Sequence, residues 1–146
     1  MSIVLKPLEA ATWRKVALLP LRRGQRRFVA PNMLSIAQAY VERGSEPRAA
    51  WLGDRPVGFV MFRREPEDGE WWINRLMVAS RHQGKGYGRA ILQAAIAEMA
   101  VRHDAQRIFI SWVPENAVAE ALYLNCGFVK DGRVLYGEVV ARLDLD

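Results

Sequence analysis

The stretch Arg81-His-Gln-Gly-Lys-Gly-Tyr-Gly-Arg-Ala90 sets glycines at 84, 86 and 88 among the cations Arg81, Lys85 and Arg89. An apolar, strand-like run, Trp71–Val78, precedes it, and a helix-like run follows. Residues of these types at this spacing bind anions. The first N–H groups of a helix lack intrahelical partners, and the helix dipole places partial positive charge there. Glycine lets the backbone take positive φ and approach a ligand closely. The chemistry on offer is phosphate or pyrophosphate binding. A glycine-rich strand-to-helix connection without ligand is the plainer alternative.

Three phosphate-binding patterns compete. A Walker A loop, G-x-x-x-x-G-K-[ST], is excluded because Lys85 lies inside the glycines and no Ser or Thr follows. A dinucleotide fingerprint needs G-x-G-x-x-G at the opening of a βαβ unit; here the spacing is G-x-G-x-G, after strands that read as antiparallel. The third pattern, Q/R-x-x-G-x-G/A, is the coenzyme A loop of acetyltransferases. Gln83-Gly84-Lys85-Gly86-Tyr87-Gly88 matches it.

A second motif follows in Glu115–Phe128, where Asn116, Ala119, Leu122, Tyr123, Gly127 and Phe128 spell N-x-x-A-x-x-L-Y-x-x-x-G-F. Each part has a simpler reading. Asn116 suits a helix cap, and Tyr123 suits a core aromatic with its hydroxyl at the rim. With the glycine loop and the order of elements, the chain resembles the GNAT family of N-acetyltransferases over nearly all of its length.

The resemblance implies acetyl-CoA as co-substrate and no metal. Gln83, Gly84, Lys85, Gly86, Tyr87, Gly88 and Arg89 would hold its pyrophosphate through backbone N–H groups. Met77 and Val78 would pair with the pantetheine arm like an added strand. A bulge there would open a V-shaped splay between the fourth and fifth strands. Asn116 would hydrogen-bond the arm, and Tyr123 would aim its phenol at the sulfur. The implied chemistry is direct attack of an amine on the thioester. A strand N–H near Val78 would serve the oxyanion. Tyr123, with an unperturbed pKa of about 10, would be the acid for the departing thiolate. An alkylammonium has a pKa of about 10.4, so a base or water chain must take its proton. No covalent intermediate on the enzyme is required, and Cys126 reads as packing.

Within the family the chain looks most like bacterial enzymes acting on diamines and polyamines such as spermine and spermidine. Those commonly carry an acidic residue on the fourth strand, facing the acceptor, where this chain has Asn74. An amide is no useful base, though it holds a water or an amine. Trp72 shares the face of Asn74 by strand alternation. Acidity is left to Glu70, at the end of the Glu65–Glu70 turn, or to Glu42 or Glu46, each of which also reads as solvated charge. Alternative readings are an acetyltransferase for a protein or peptide amine or an aminoglycoside, and a non-catalytic acyl-CoA-binding module. A homodimer is a further expectation from the family.

The elements that must position these residues are legible from patterning. The 146 residues, 51% apolar and 25% charged, suit one domain spanning 1–146. No apolar run reaches the roughly 20 residues of a membrane span, and no signal-peptide pattern opens the chain. A cytoplasmic location and no membrane partner are expected. Two histidines and one cysteine leave few soft metal ligands. The net charge of +5 suits an anionic partner. Its densest cluster, Leu21–Arg27, lacks the aromatic interleaving of single-strand binders, so it reads as a solvated loop and no nucleic acid is expected.

Thr12 and Asn32 read as N-caps of the first two helices, and Gly53–Pro56 as a turn between strands. The order is β-α-α-β-β-β-α-β-α-β-β. Short turns make the middle strands antiparallel, and the crossover between Trp71–Val78 and Arg107–Val113 makes that pair parallel. The expectation is an α+β fold of the GNAT type. It has a mixed, mostly antiparallel sheet of six to seven strands with four helices on its faces.

Overall fold

A computed structural model describes residues 2–26 and 28–145; Arg27, in the basic cluster, lies outside them. The elements run β1 (Ile3–Pro7), α1 (Trp13–Ala17), α2 (Asn32–Val41), β2 (Glu46–Leu52), β3 (Arg55–Arg64) and β4 (Trp71–Val78). Then follow α3 (Tyr87–His103), β5 (Arg107–Trp112), α4 (Ala117–Asn125), β6 (Val129–Leu135) and β7 (Glu138–Asp144). The order is the expected one. One seven-stranded sheet, β1-β2-β3-β4-β5-β7-β6, contains them all. Only β4 and β5, joined through α3, are parallel.

Strand alternation sends side chains to two helical layers. On one face Ile91, Leu92, Ala95 and Met99 of α3 pack with Val60 and Phe62 of β3 and Ile108 and Ile110 of β5. Tyr123 of α4 joins this cluster, and the half-buried Cys126 packs against it. On the other face Val16 of α1, with Ile36 and Ala39 of α2, covers Phe59, Met61 and Met77. No helix among the described residues is long and apolar enough to cross a membrane.

Three local expectations are corrected. Thr12 makes no side-chain cap bond. Pro31, not Asn32, holds the N-cap position of α2. Asn32 is buried instead, and its amide donates to the Val16 carbonyl at 2.8 Å and reaches the Met77 sulfur at 3.5 Å. Proline has no N–H to lose before a helix, which frees the asparagine to tie α2 to α1 and β4. Arg55 and Pro56 belong to β3, and only Gly53-Asp54 forms the turn. The β6–β7 hairpin turns on Tyr136 and Gly137, with φ of 51° and 78°. That two-residue geometry matches strand twist and fixes where Glu138 begins β7.

The expected splay is present, but its cause lies upstream of the expected place. Phe62 pairs with Ile73 and Met61 with Arg75, so Asn74 is an extra residue in β4. The ladder from β4 to β5 runs from Trp71↔Ile108 to Ile73↔Ile110 and stops there. A bulge bends its strand and increases the local twist, which carries the second half of β4 away from β5. Ser111 is the first residue of β5 past the last rung.

Candidate active site

The glycine loop is built around two left-handed residues. Gly84 and Gly86 have φ of 77° and 84°, where a side chain would strain the backbone. Gly86 is the N-cap of α3, no side chain caps the helix, and no acidic residue occupies its first turn. The positive end of the helix is therefore uncompensated by the chain itself. Gly88 differs. An added Cβ would sit 3.5 Å from Leu122 Cδ2 and 3.7 Å from Val78 Cγ2, in ordinary contact. Its smallness leaves room rather than freeing the backbone.

The N-terminus of α3, the end of β4 and the start of α4 enclose a cleft of about 480 Å³. Met77, Val78, Gln83, Gly84, Gly86, Tyr87, Gly88, Arg89 and Asn116 line it, and so does Tyr123. Lys85 is exposed beside it. The two sequence motifs thus meet on one cavity. Asn116 caps α4, its Oδ1 accepting the Ala119 N–H at 3.2 Å, and it also lines the cleft.

One wall lies outside every sequence expectation. Leu21, Arg22, Gln25 and Val29 line the cleft, so the supposed solvated loop is a lip of the site. Gln83 Nε2 donates to Gln25 Oε1 at 2.7 Å and to the Val78 carbonyl at 2.8 Å. Gln25 Nε2 returns a bond to Gln83 Oε1 at 3.2 Å. This pair latches the loop to the end of β4. The density of arginines beside an anion loop was the available signal.

Two titratable groups of the cleft are perturbed. His82 is buried, and burial with the charges of Lys85, Arg55 and Arg81 holds its pKa below the ordinary 6.5. It is neutral at pH 7. Tyr123 packs between Trp112 and Phe128, with ring centroids 5.5 and 6.2 Å away. Burial first, and the charge of Glu138 second, raise its phenol far above the ordinary 10.0. The expectation of an unperturbed phenol is corrected: Tyr123 is a firmly protonated hydroxyl.

The expected acceptor residues lie apart from this cleft. Trp71, Ile73, Leu76 and Val78 all pack toward α3 and α4, and the step of three between Ile73 and Leu76 marks the bulge. Trp72 therefore shares the opposite face with Arg75, and the bulge interrupts the simple alternation expected between Trp72 and Asn74. Trp72 stacks on Phe109 at 5.2 Å between centroids. Arg75 donates to Gln38 Oε1 at 2.9 Å and to the Asn74 carbonyl at 2.8 Å. Its Nε is buried without a partner, and no carboxylate pairs with it among the described residues.

Glu70 closes the β3–β4 hairpin, its carbonyl accepting from Glu65 N–H at 2.8 Å. It sits four residues before the bulge, roughly 13 Å along the strand. Glu42 pairs with Arg63 at 3.7 Å. Glu46 pairs with Arg48 at 2.9 Å and His103 at 3.0 Å. Glu46, Glu98 and His103 are close enough to share a cation, but Arg48 already bonds both carboxylates, Glu98 at 2.8 Å, and Arg102 bonds Glu98 at 2.9 Å.

Comparison with known proteins bears on this cleft directly. A model of the acetyltransferase (GNAT) family matches residues 17–128, which include the basic lip, the glycine loop and the Asn116–Phe128 motif. The spermine/spermidine N(1)-acetyltransferase of Bacillus subtilis (strain 168) is 27% identical over 152 residues, covering 99% of this chain and 100% of that one. Two solved structures share the fold. The spermidine N-acetyltransferase from Vibrio cholerae, in complex with CoA and spermine, gives a TM-score of 0.76 at 19% identity, covering 97% of this chain and 93% of that one. AAC(6')-Ib in complex with ribostamycin and coenzyme A gives 0.81 at 16% identity, covering 99% and 94%. A family match over both halves of one cleft, on the expected sheet, leads to one assignment: the chain belongs to the GNAT family and is an N-acetyltransferase.

Proposed function

We propose that this protein moves an acetyl group from acetyl-CoA directly to a small primary amine, with polyamines and diamines favoured, and that residues 1–146 act as one catalytic domain. The observation that carries this reading is the convergence of the two motifs on one cleft beside a splayed β4–β5 pair. The cleft fits acetyl-CoA. The uncapped end of α3 and its left-handed glycines suit a pyrophosphate, Arg22 and Arg89 add charge, and Leu76, Val118 and Leu122 make an apolar trough for the arm. When bound, acetyl-CoA supplies an activated acetyl thioester.

The residues of the chain do the rest. Gln83 holds the Val78 carbonyl, so it fixes the strand end rather than reaching for phosphate. Asn116, with its oxygen engaged in the cap, offers its NH2 group to a carbonyl of the arm. Tyr123 would donate a hydrogen bond toward the sulfur. Full loss of its proton would leave a buried phenolate near Glu138, so its proton is shared or promptly replaced. The polyamine preference draws on the Bacillus relative of matching extent.

Arg75 favours a second reading. A half-buried guanidinium with no carboxylate partner, beside Asn74 and Trp72, suits an acceptor that carries a carboxylate, such as a peptide. A panel of putrescine, spermidine, spermine, peptides and aminoglycosides with acetyl-CoA, followed by thiol release, separates the readings. Turnover on the polyamines is expected. CoA binding without turnover on any amine would leave an acyl-CoA-binding module.

A further inference from the structure

Asn74 leaves the acceptor side without an acid at the bulge, so the acids elsewhere are informative. The half-buried carboxylates of Glu42, Glu46, Glu65, Glu98, Glu120 and Asp131 each have a cationic partner within 4.0 Å. Glu70 has no cationic partner among the described residues, but it lies at the hairpin end of β4, away from the splay. Glu138 is the other half-buried carboxylate with no cationic partner among the described residues. It opens β7, directly after the tight Tyr136-Gly137 turn. Ser111 Oγ donates to Glu138 Oε1 at 2.7 Å. That bond draws the carboxylate across β5 to the first residue past the last β4–β5 rung. Residues alternate along β5, so Ser111 and Phe109 share a face, and Phe109 carries the stacked Trp72.

We propose that Glu138, oriented by Ser111, is the carboxylate that receives the acceptor's ammonium group at the mouth of the β4–β5 splay. It supplies from β7 the negative charge that Asn74 does not supply from β4. A partly desolvated carboxylate without a counter-ion is incomplete, and a primary ammonium completes it. The Trp72–Phe109 stack beside it offers an apolar surface to the methylenes that follow the nitrogen. Arg133 lies over the Phe109 ring at 5.1 Å and is spent on Asp131 at 2.7 Å. The assignment rests on the acetyltransferase reading for its location, and it selects cationic amines over neutral ones.

The test compares the wild type with Glu138→Gln, Glu138→Asp and Ser111→Ala. Steady-state acetylation of spermidine is read alongside calorimetric binding of spermidine to the protein saturated with CoA. Glu138→Gln should raise the KM and Kd for spermidine by about 30-fold or more, with CoA affinity unchanged and kcat affected less. Glu138→Asp should recover part of the loss, and Ser111→Ala should raise KM several-fold at unchanged charge. Equal spermidine affinity in the wild type and Glu138→Gln overturns the proposal, even where the enzyme acetylates amines well. Binding that depends on Glu138 in a protein that turns over no amine supports it, while ending the catalytic reading. If Glu138→Gln does not fold by near-UV circular dichroism, unchanged KM in both Glu138→Asp and Ser111→Ala overturns it.

Discussion

Tyr123 and His82 face the same cleft and are perturbed in opposite directions. Burial dominates both, because it disfavours whichever form carries charge. For Tyr123 the outcome is a hydroxyl that keeps its proton and so has one to donate. Tyr123→Phe removes that donor and leaves the packing against Trp112 and Phe128. Turnover should fall by about 10²- to 10⁴-fold, with CoA affinity held within about twofold, in parallel kinetic and binding assays. His82 predicts a pH effect on stability. Its folded pKa lies below the unfolded value of 6.5, so unfolding takes up a proton once the pH drops below about 6.5. The stability it confers above that pH is lost progressively on acidification. Melting curves between about pH 7.5 and 5.5 should show a drop in the wild type that is smaller in His82→Gln.

At the scale of elements, the glycine loop separates backbone need from ligand need. Gly86→Ala places a side chain at φ of 84°, so it should cost about 1–2 kcal/mol and also weaken CoA binding. Gly88→Ala lies in regular helix, where alanine is favoured over glycine by about 1 kcal/mol. Its new methyl meets Leu122 and Val78, both in the cleft wall. Gly88→Ala should therefore hold or raise the melting temperature while lowering CoA affinity. A paired measurement of melting and binding distinguishes the two glycines. The same contrast explains what the sequence disclosed. The loop and the Asn116–Phe128 motif were legible because each is local: spacing alone sets a helix start, a cap and a face. The Gln25–Gln83 latch was not, because its partners lie 58 residues apart and glutamine carries no charge to advertise it. The bulge at Asn74 was not legible either. Strand alternation reads cleanly from Trp71 to Val78 only if no residue is extra, and nothing in those residue types marks one.

For the whole molecule, the net charge of +5 has a location. Arg22 and Arg89 line the cleft, and Arg81 and Lys85 stand on the loop beside it. On the proposed reading, an approaching polyanionic donor would be drawn to the mouth of the cleft. CoA association should slow roughly tenfold as salt contracts the screening length from about 10 Å at 0.1 M to about 3 Å at 1 M. Stopped-flow measurement checks this, and Arg22→Ala should flatten the salt dependence. The opposite requirement would hold at the proposed acceptor side, where a cationic amine approaches a positively charged protein. The sheet keeps the two apart: the cleft lies at the ends of α3 and α4, while Ser111 of β5 and Glu138 of β7 lie past the last β4–β5 rung.

The bulge at Asn74 also divides β4 into two segments with separate obligations. Residues 71–73 are locked to both β3 and β5, while residues 75–78 answer to β3 alone and to the cleft. On the proposed reading, one extra residue would uncouple the surfaces that meet the two substrates. Substitutions before the bulge should then change amine preference while leaving acetyl-CoA affinity as it was.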